Sequence, residues 1–85
     1  MRNAIMVDVV DVTVLADFRV RLRFDNGEEG EVDLRPFLNG PIFDALLRDR
    51  RLFESVRVDP ELGTIVWPNG ADVDPDVLHS AASSE

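Results

Sequence analysis

Residues 18–34 read FRVRLRFDNGEEGEVDL, and the register in which this stretch folds back on itself decides the architecture of the chain. Phe18, Val20, Leu22 and Phe24 alternate with Arg19, Arg21 and Arg23, the period-two pattern of a strand with one buried face. Asp25-Asn26-Gly27 then signals a turn. A two-residue Asn-Gly loop would set Leu22 opposite Glu31 and Arg21 opposite Val32, mixing the faces. A three-residue loop over 25–27, with the glycine in the left-handed conformation, moves the register by one. Val20 then meets Val32 and Phe18 meets Leu34 on the buried side. On the other side Arg23 meets Glu29, Arg21 meets Glu31 and Arg19 meets Asp33. This second register is the one expected.

Upstream, residues 5–14 are dense in valine with aspartates at 8 and 11, which favours a strand, and the imperfect alternation predicts a bulge. Downstream the period changes. Pro41, Ile42, Phe43, Leu46 and Leu47 are spaced for a helix over 41–49, with arginines 48, 50 and 51 near its end and a short turn at 36–38 before it. Residues 55–58 and 64–67 read as a second hairpin around the four-residue loop 60–63, with Val58 facing Ile65 and Val56 facing Trp67. Pro68 lacks a donor and ends that ladder, and Asn69-Gly70 turns the chain. Asp74 caps a helix opened by Pro75 and Asp76, whose Val77 and Leu78 dock on the core. The expected fold is α+β: an antiparallel sheet of about five strands in the order β-β-β-α-β-β-α, with short helices packed on it. It forms one domain over 1–85, its core spanning about 5–79 and a frayed tail at 80–85.

An 85-residue chain buries little more than ~60% of its unfolded surface, so a second core is excluded. With no cysteine, neither disulfides nor thiolate zinc sites hold the fold, which suits a reducing cytoplasm. No apolar run approaches the ~18 residues that span a bilayer, and the opening MRNAIMVDVVDV has aspartates where a signal peptide is apolar. Seventeen acids against nine bases, all arginine, give a formal charge of -8, a field that repels nucleic-acid backbones and anionic membranes.

Asp72, Asp74 and Asp76 alternate as in a calcium loop, but the sixth position is Val77 where glycine is needed and the twelfth is Ser83 where glutamate is needed. His79 is the single histidine, so no two-histidine zinc motif exists, and it is expected at the surface without a partner to orient it. Ser55, Ser80, Ser83 and Ser84 lie in no nucleophile elbow, and the glycines are scattered singly rather than gathered in a phosphate loop. The arginine row at 19, 21 and 23 faces acids that cancel its field, and Trp67 shares the buried parity of Ile65. If the indole edge of Trp67 reaches the surface, it becomes a candidate partner contact. No catalytic residue, metal ligand or cofactor site is expected, and the chain is read as no enzyme.

The stretches FRVRLRFDNGEEGEVDLRPFL and IFDALLRDRRLFESVRVDPELGTIVWPNGADVDPDVL together resemble the small bacterial family known as domain of unknown function 2442. The resemblance covers nearly the whole chain and is most specific in the ending, where Trp67, Pro68, Asn69, Gly70 and Asp72 occupy signature positions. It implies a compact α+β domain, no assigned catalytic residue and no cofactor. In some relatives a helix-turn-helix domain follows; here the sequence ends soon after Leu78, so DNA binding by that route is not expected. Other relatives resemble the acidic half of a toxin–antitoxin pair whose second member is a small basic protein.

The function expected is therefore that of an acidic, non-enzymatic protein-binding module in the cytoplasm, an antitoxin-like partner of a small basic protein, with Trp67, Pro68, Asn69, Gly70 and Asp72 as candidate contacts. The alternative is a homo-oligomeric sensory or scaffold domain, such as a homodimer, related to transcriptional regulators but lacking the helix-turn-helix. Neither reading includes direct contact with nucleic acid or membrane.

Overall fold

The computed structural model describes residues 7–83. Among these residues five strands and three helices follow in the expected order save for a second helix before β4: β1 (Val9–Val14), β2 (Arg19–Phe24), β3 (Glu29–Asp33), α1 (Pro41–Arg48), α2 (Arg50–Glu54), β4 (Arg57–Asp59), β5 (Thr64–Val66) and α3 (Pro75–Ser83), with a 3-10 turn at Arg35–Phe37. The strands divide into an antiparallel sheet β1-β2-β3 and an antiparallel hairpin β4-β5. The two meet where the N–H of Val9 donates to the carbonyl of Gly63 at 2.9 Å.

The β2–β3 register is the expected one at each pair, Arg19 with Asp33, Val20 with Val32, Arg21 with Glu31 and Arg23 with Glu29. Gly27 has φ 91°, the left-handed position of the three-residue turn. Of the three charge pairs expected straight across, however, only Arg21 with Glu31 closes. Arg19 reaches Glu31 at 3.4 Å, Arg21 lies between Glu29 at 3.7 Å and Glu31 at 3.2 Å, and Arg23 turns to Asp11 of β1 at 3.9 Å. Long guanidinium stems lean along the strand to diagonal neighbours. Asp33 is too short to follow them, and its carboxylate accepts instead from the N–H of Arg35 at 3.0 Å, starting the 3-10 turn.

β1 carries the expected bulge, where the register against β2 shifts between Val9 and Asp11. It is shorter than the 5–14 expected; positions 5 and 6 lie outside the described residues. The second hairpin also has the expected register, Val58 opposite Ile65, with the four-residue loop closed by Gly63 N–H to Asp59 O at 2.8 Å. Its ladder stops one position short of Val56 and Trp67, because the Trp67 N–H is committed to the carbonyl of Ala71.

The helical region differs from its expectation. One helix over 41–49 was expected to lead into a strand from residue 55, whereas α1 stops at Arg48 and α2 follows after a single residue. Asp49 is extended (φ -125°, ψ 101°) and its side chain accepts from the N–H groups of Arg51 and Leu52. The aspartate read as the end of one helix is the N-cap of the next. This break turns Phe53 into the core, where it is fully buried, and shortens β4 to Arg57–Asp59.

Asp74 caps α3 as expected, its carboxylate accepting from Asp76 N–H at 2.8 Å. Leu78 is buried but Val77 is exposed, because on a helix Leu78 shares its inward stripe with Ala81 and Ala82 one turn later and not with its neighbour. The helix runs through Ser83, with Ala81 and Ala82 packed on the core, and residues 84 and 85 of the tail expected to fray lie outside the described residues. That core gathers the inward faces of all three layers: Val9, Val20, Leu22, Phe24, Val32 and Leu34 from the sheet, Leu46 and Phe53 from the first two helices, Ile65 and Trp67 from the second hairpin, and Leu78 from α3.

Candidate functional site

The signature stretch 67–72 begins inside the protein. Trp67 is 2% exposed, and its indole N–H donates to the carbonyl of Phe53 at 3.0 Å. Its ring lies 6.1 Å from that of Phe53, which meets Phe18 edge to face at 5.0 Å. Guanidinium groups roof this aromatic row, Arg35 over Phe18 at 4.9 Å and Arg50 over Phe53 at 5.3 Å. Arg50 also pairs with Glu54 at 2.8 Å and donates to the carbonyls of Leu15 and Asp17. It ties α2 to the β1–β2 connection, where Asp17 has a positive φ of 55°.

Pro68, Asn69 and Gly70 form a turn that repeats the one between β2 and β3. In the first turn Phe24 N–H donates to Glu28 O, Gly27 N–H to Phe24 O, and Asn26 Oδ1 accepts from Glu28 N–H. In the second, Trp67 N–H donates to Ala71 O, Gly70 N–H to Trp67 O, and Asn69 Oδ1 accepts from Ala71 N–H. Gly27 and Gly70 have φ values of 91° and 93°. The second turn has one bond the first lacks: Asn69 Nδ2 donates to the carbonyl of Ile42 in α1 at 2.9 Å. Asp72 is exposed and pairs its backbone with Val66.

Of the five candidate contacts, Trp67 is therefore a core residue, and no edge of it is offered to a partner. Asn69 and Gly70 serve the turn that clamps β5 to α1, while Pro68 and Asp72 sit on the surface. The signature works as a clasp joining both short helices to the second hairpin. Replacing Asn69 with Ala removes two hydrogen bonds at once and is expected to cost about 1–2 kcal/mol. Gly70→Ala forces a side chain into the left-handed region and is expected to cost about 1–2 kcal/mol. Urea denaturation of the two variants measures both.

His79 is not the unpartnered surface histidine expected. Its ring lies edge-on to Phe24 at 5.0 Å, and Nε2 is 2.5 Å from Glu28 Oε1, so α3 is pinned to the β2–β3 turn. Hydrogen bonding to His79, then to Asn26, holds the Glu28 carboxyl below its ordinary value, the charge of His79 adding a smaller push in the same direction. A carboxyl lowered in the folded state contributes stability above its unfolded value and loses it as pH falls through the folded one. Glu28→Gln should therefore be less stable than the parent near neutral pH and converge with it as the pH falls through the lowered folded-state value, as measured by denaturation across an acid pH series.

The cleft lined by Phe24, Glu28, Glu29, His79 and Ala82 holds this pair. Among the described residues no cluster of three or more histidine, aspartate or glutamate side chains is arranged to hold a metal ion, and no helix is long and apolar enough to cross a membrane.

What the described residues do present is negative charge. Arg19, Arg21, Arg23, Arg48 and Arg50 are closed onto acids of the same chain. Asp8, Asp17, Asp25, Glu61, Asp72, Asp74 and Asp76 are exposed and, among the described residues, lie in no ion pair. Several of them accept backbone N–H groups at turns and helix starts, which leaves the charge in place while fixing its position.

The family model described as "Protein of unknown function (DUF2442)" matches residues 9–83. No curated protein and no solved structure is matched by the chain. The chain belongs to the DUF2442 family.

Proposed function

We propose that this member of the DUF2442 family is an acidic protein-binding module whose partner is a basic protein, its narrowest form being an antitoxin-like pairing with a small basic protein. It acts without catalysis, in the cytoplasm. The observation that carries the reading is the disposition of charge: the arginines of the sheet are consumed by neighbouring carboxylates, and the surplus of the -8 chain stands on turns and helix starts around the molecule. Such a field accelerates encounter with a basic surface and repels anionic polymers.

Co-expression with a small basic protein encoded beside its gene tests the reading. A complex that survives purification at low salt and weakens steeply as salt rises is expected. Failure to associate with any basic partner at low salt removes the proposal.

Self-association through the free sheet edge is the weaker reading. In β3 the residues able to pair with a second copy are Glu29, Glu31 and Asp33, and antiparallel self-pairing sets carboxylate opposite carboxylate in every register. Light scattering at high protein concentration separates the two readings, a monomer being expected.

A further inference from the structure

β3 ends the three-stranded sheet. Phe24 N–H donates to Glu28 O and Leu34 N–H donates to Phe18 O, both at 2.9 Å, so even-numbered residues of the hairpin are the ones that exchange hydrogen bonds with β2. By the alternation of an antiparallel ladder, the odd residues Glu29, Glu31 and Asp33 turn their N–H and C=O groups outward along the edge. Their side chains belong to the face opposite the core, since Val32 and Leu34 are buried and Gly30 meets Ala82 of α3 on the inner face.

The other edge of the sheet is guarded. Val9 N–H is taken by Gly63 O at 2.9 Å, and Asp11 Oδ1 accepts from Val12 N–H at 3.0 Å. The bulge in β1 distorts that edge further. β3 has neither a bulge nor a side chain bonded to its outward N–H groups among the described residues. Across the solvent face the rows alternate in sign: Asp11 on β1, Arg19, Arg21 and Arg23 on β2, then Glu29, Glu31 and Asp33 on β3. The next row in this alternation is positive.

We propose that the β3 edge receives an extended segment of the partner protein that carries arginine or lysine at alternate positions, adding a fourth antiparallel strand with its basic side chains beside Glu29, Glu31 and Asp33. This rests on the reading of the domain as a binder of basic proteins. Backbone pairing supplies the register and the carboxylate row selects the sequence.

A peptide of about ten residues alternating arginine and valine is the probe, long enough for a typical strand. A peptide of the same sequence methylated on the backbone nitrogen of each arginine, the residues whose N–H groups face Glu29, Glu31 and Asp33, keeps the charge but cannot donate to the edge. Amide hydrogen exchange at residues 29, 31 and 33 should slow at least roughly tenfold with the first peptide at saturation and stay unchanged with the second. Glu31→Pro removes an outward N–H on an edge strand, where proline is tolerated, and Glu31→Gln removes only the charge. The proline variant should bind the arginine–valine peptide roughly tenfold more weakly than the glutamine variant, with the β2–β3 amides still protected. If both peptides bind alike, or both variants do, strand addition is overturned while the acidic binding reading stands. If neither basic peptide binds at low salt, both fall.

Discussion

Trp67→Ala is expected to lower the stability of the domain by about 3–5 kcal/mol, the range for truncating a fully buried aromatic side chain. The indole fills the space between β5 and the two short helices, touches Phe53, and donates to its carbonyl at 3.0 Å. Truncation leaves a cavity and takes one of its donors from the Phe53 carbonyl, which keeps the Val56 N–H at 3.3 Å, and an 85-residue domain has little stability in reserve. Trp67→Phe separates the two contributions. It keeps most of the apolar volume but deletes the donor, so a smaller loss of about 1–3 kcal/mol is expected. Urea denaturation followed by circular dichroism gives both values, and a cost below about 1 kcal/mol for the alanine variant would show that Trp67 is not the wedge described.

The second large effect is expected at Gly30. This glycine lies in the middle of β3, where a strand gains nothing from it. Its reason is α3: a β-carbon added at Gly30 would lie 2.9 Å from the Ala82 β-carbon and 3.4 Å from the Ala82 carbonyl oxygen. Helix and strand approach with no room between them. Gly30→Val should therefore push the last turn of α3 off the sheet, costing about 1–3 kcal/mol and exposing the amides of the final turn to exchange. In Gly30→Ala the smaller intrusion should be relieved in part by Ala82→Gly, after allowing the roughly 1 kcal/mol that glycine costs a helix. Strictly additive effects in that cycle would place the origin of the Gly30 requirement elsewhere.

How much of this was legible in the sequence depended on whether the signal was local. The β2–β3 register followed from seventeen contiguous residues, because alternation on both strands leaves a single pairing that keeps arginines with acids and valine with valine. Asp74 and the 60–63 loop were legible for the same reason. Asp49 was not: an aspartate between two arginine-rich turns reads as the tail of a continuous helix, and only the demand that Phe53 reach the core reveals it as a cap. The diagonal pairs of Arg19 with Glu31 and Arg21 with Glu29 escaped because a sequence gives register but not the lean of the side chains. The roles of Asn69 and His79 were invisible. Each depends on a partner distant along the chain, Ile42 and Glu28, whose proximity exists only once the sheet and helices have assembled. Trp67 was placed by parity, but its bond to Phe53 depended on α2, an element the sequence did not disclose.

The short loops of the two hairpins bear on the order in which the molecule assembles. The first closes its hairpin over three residues, and the β4-β5 hairpin closes over a similarly short loop, so both can zip on the microsecond scale without waiting for distant parts of the chain. The slow events are those that join the ends of the chain, Val9 to Gly63 and Gly30 to Ala82, each bridging more than half its length. Such a chain has early-forming hairpins and a late-docking last helix. Destabilising changes on α3 should accelerate unfolding with little effect on the refolding rate, whereas changes at Gly27 should slow refolding itself.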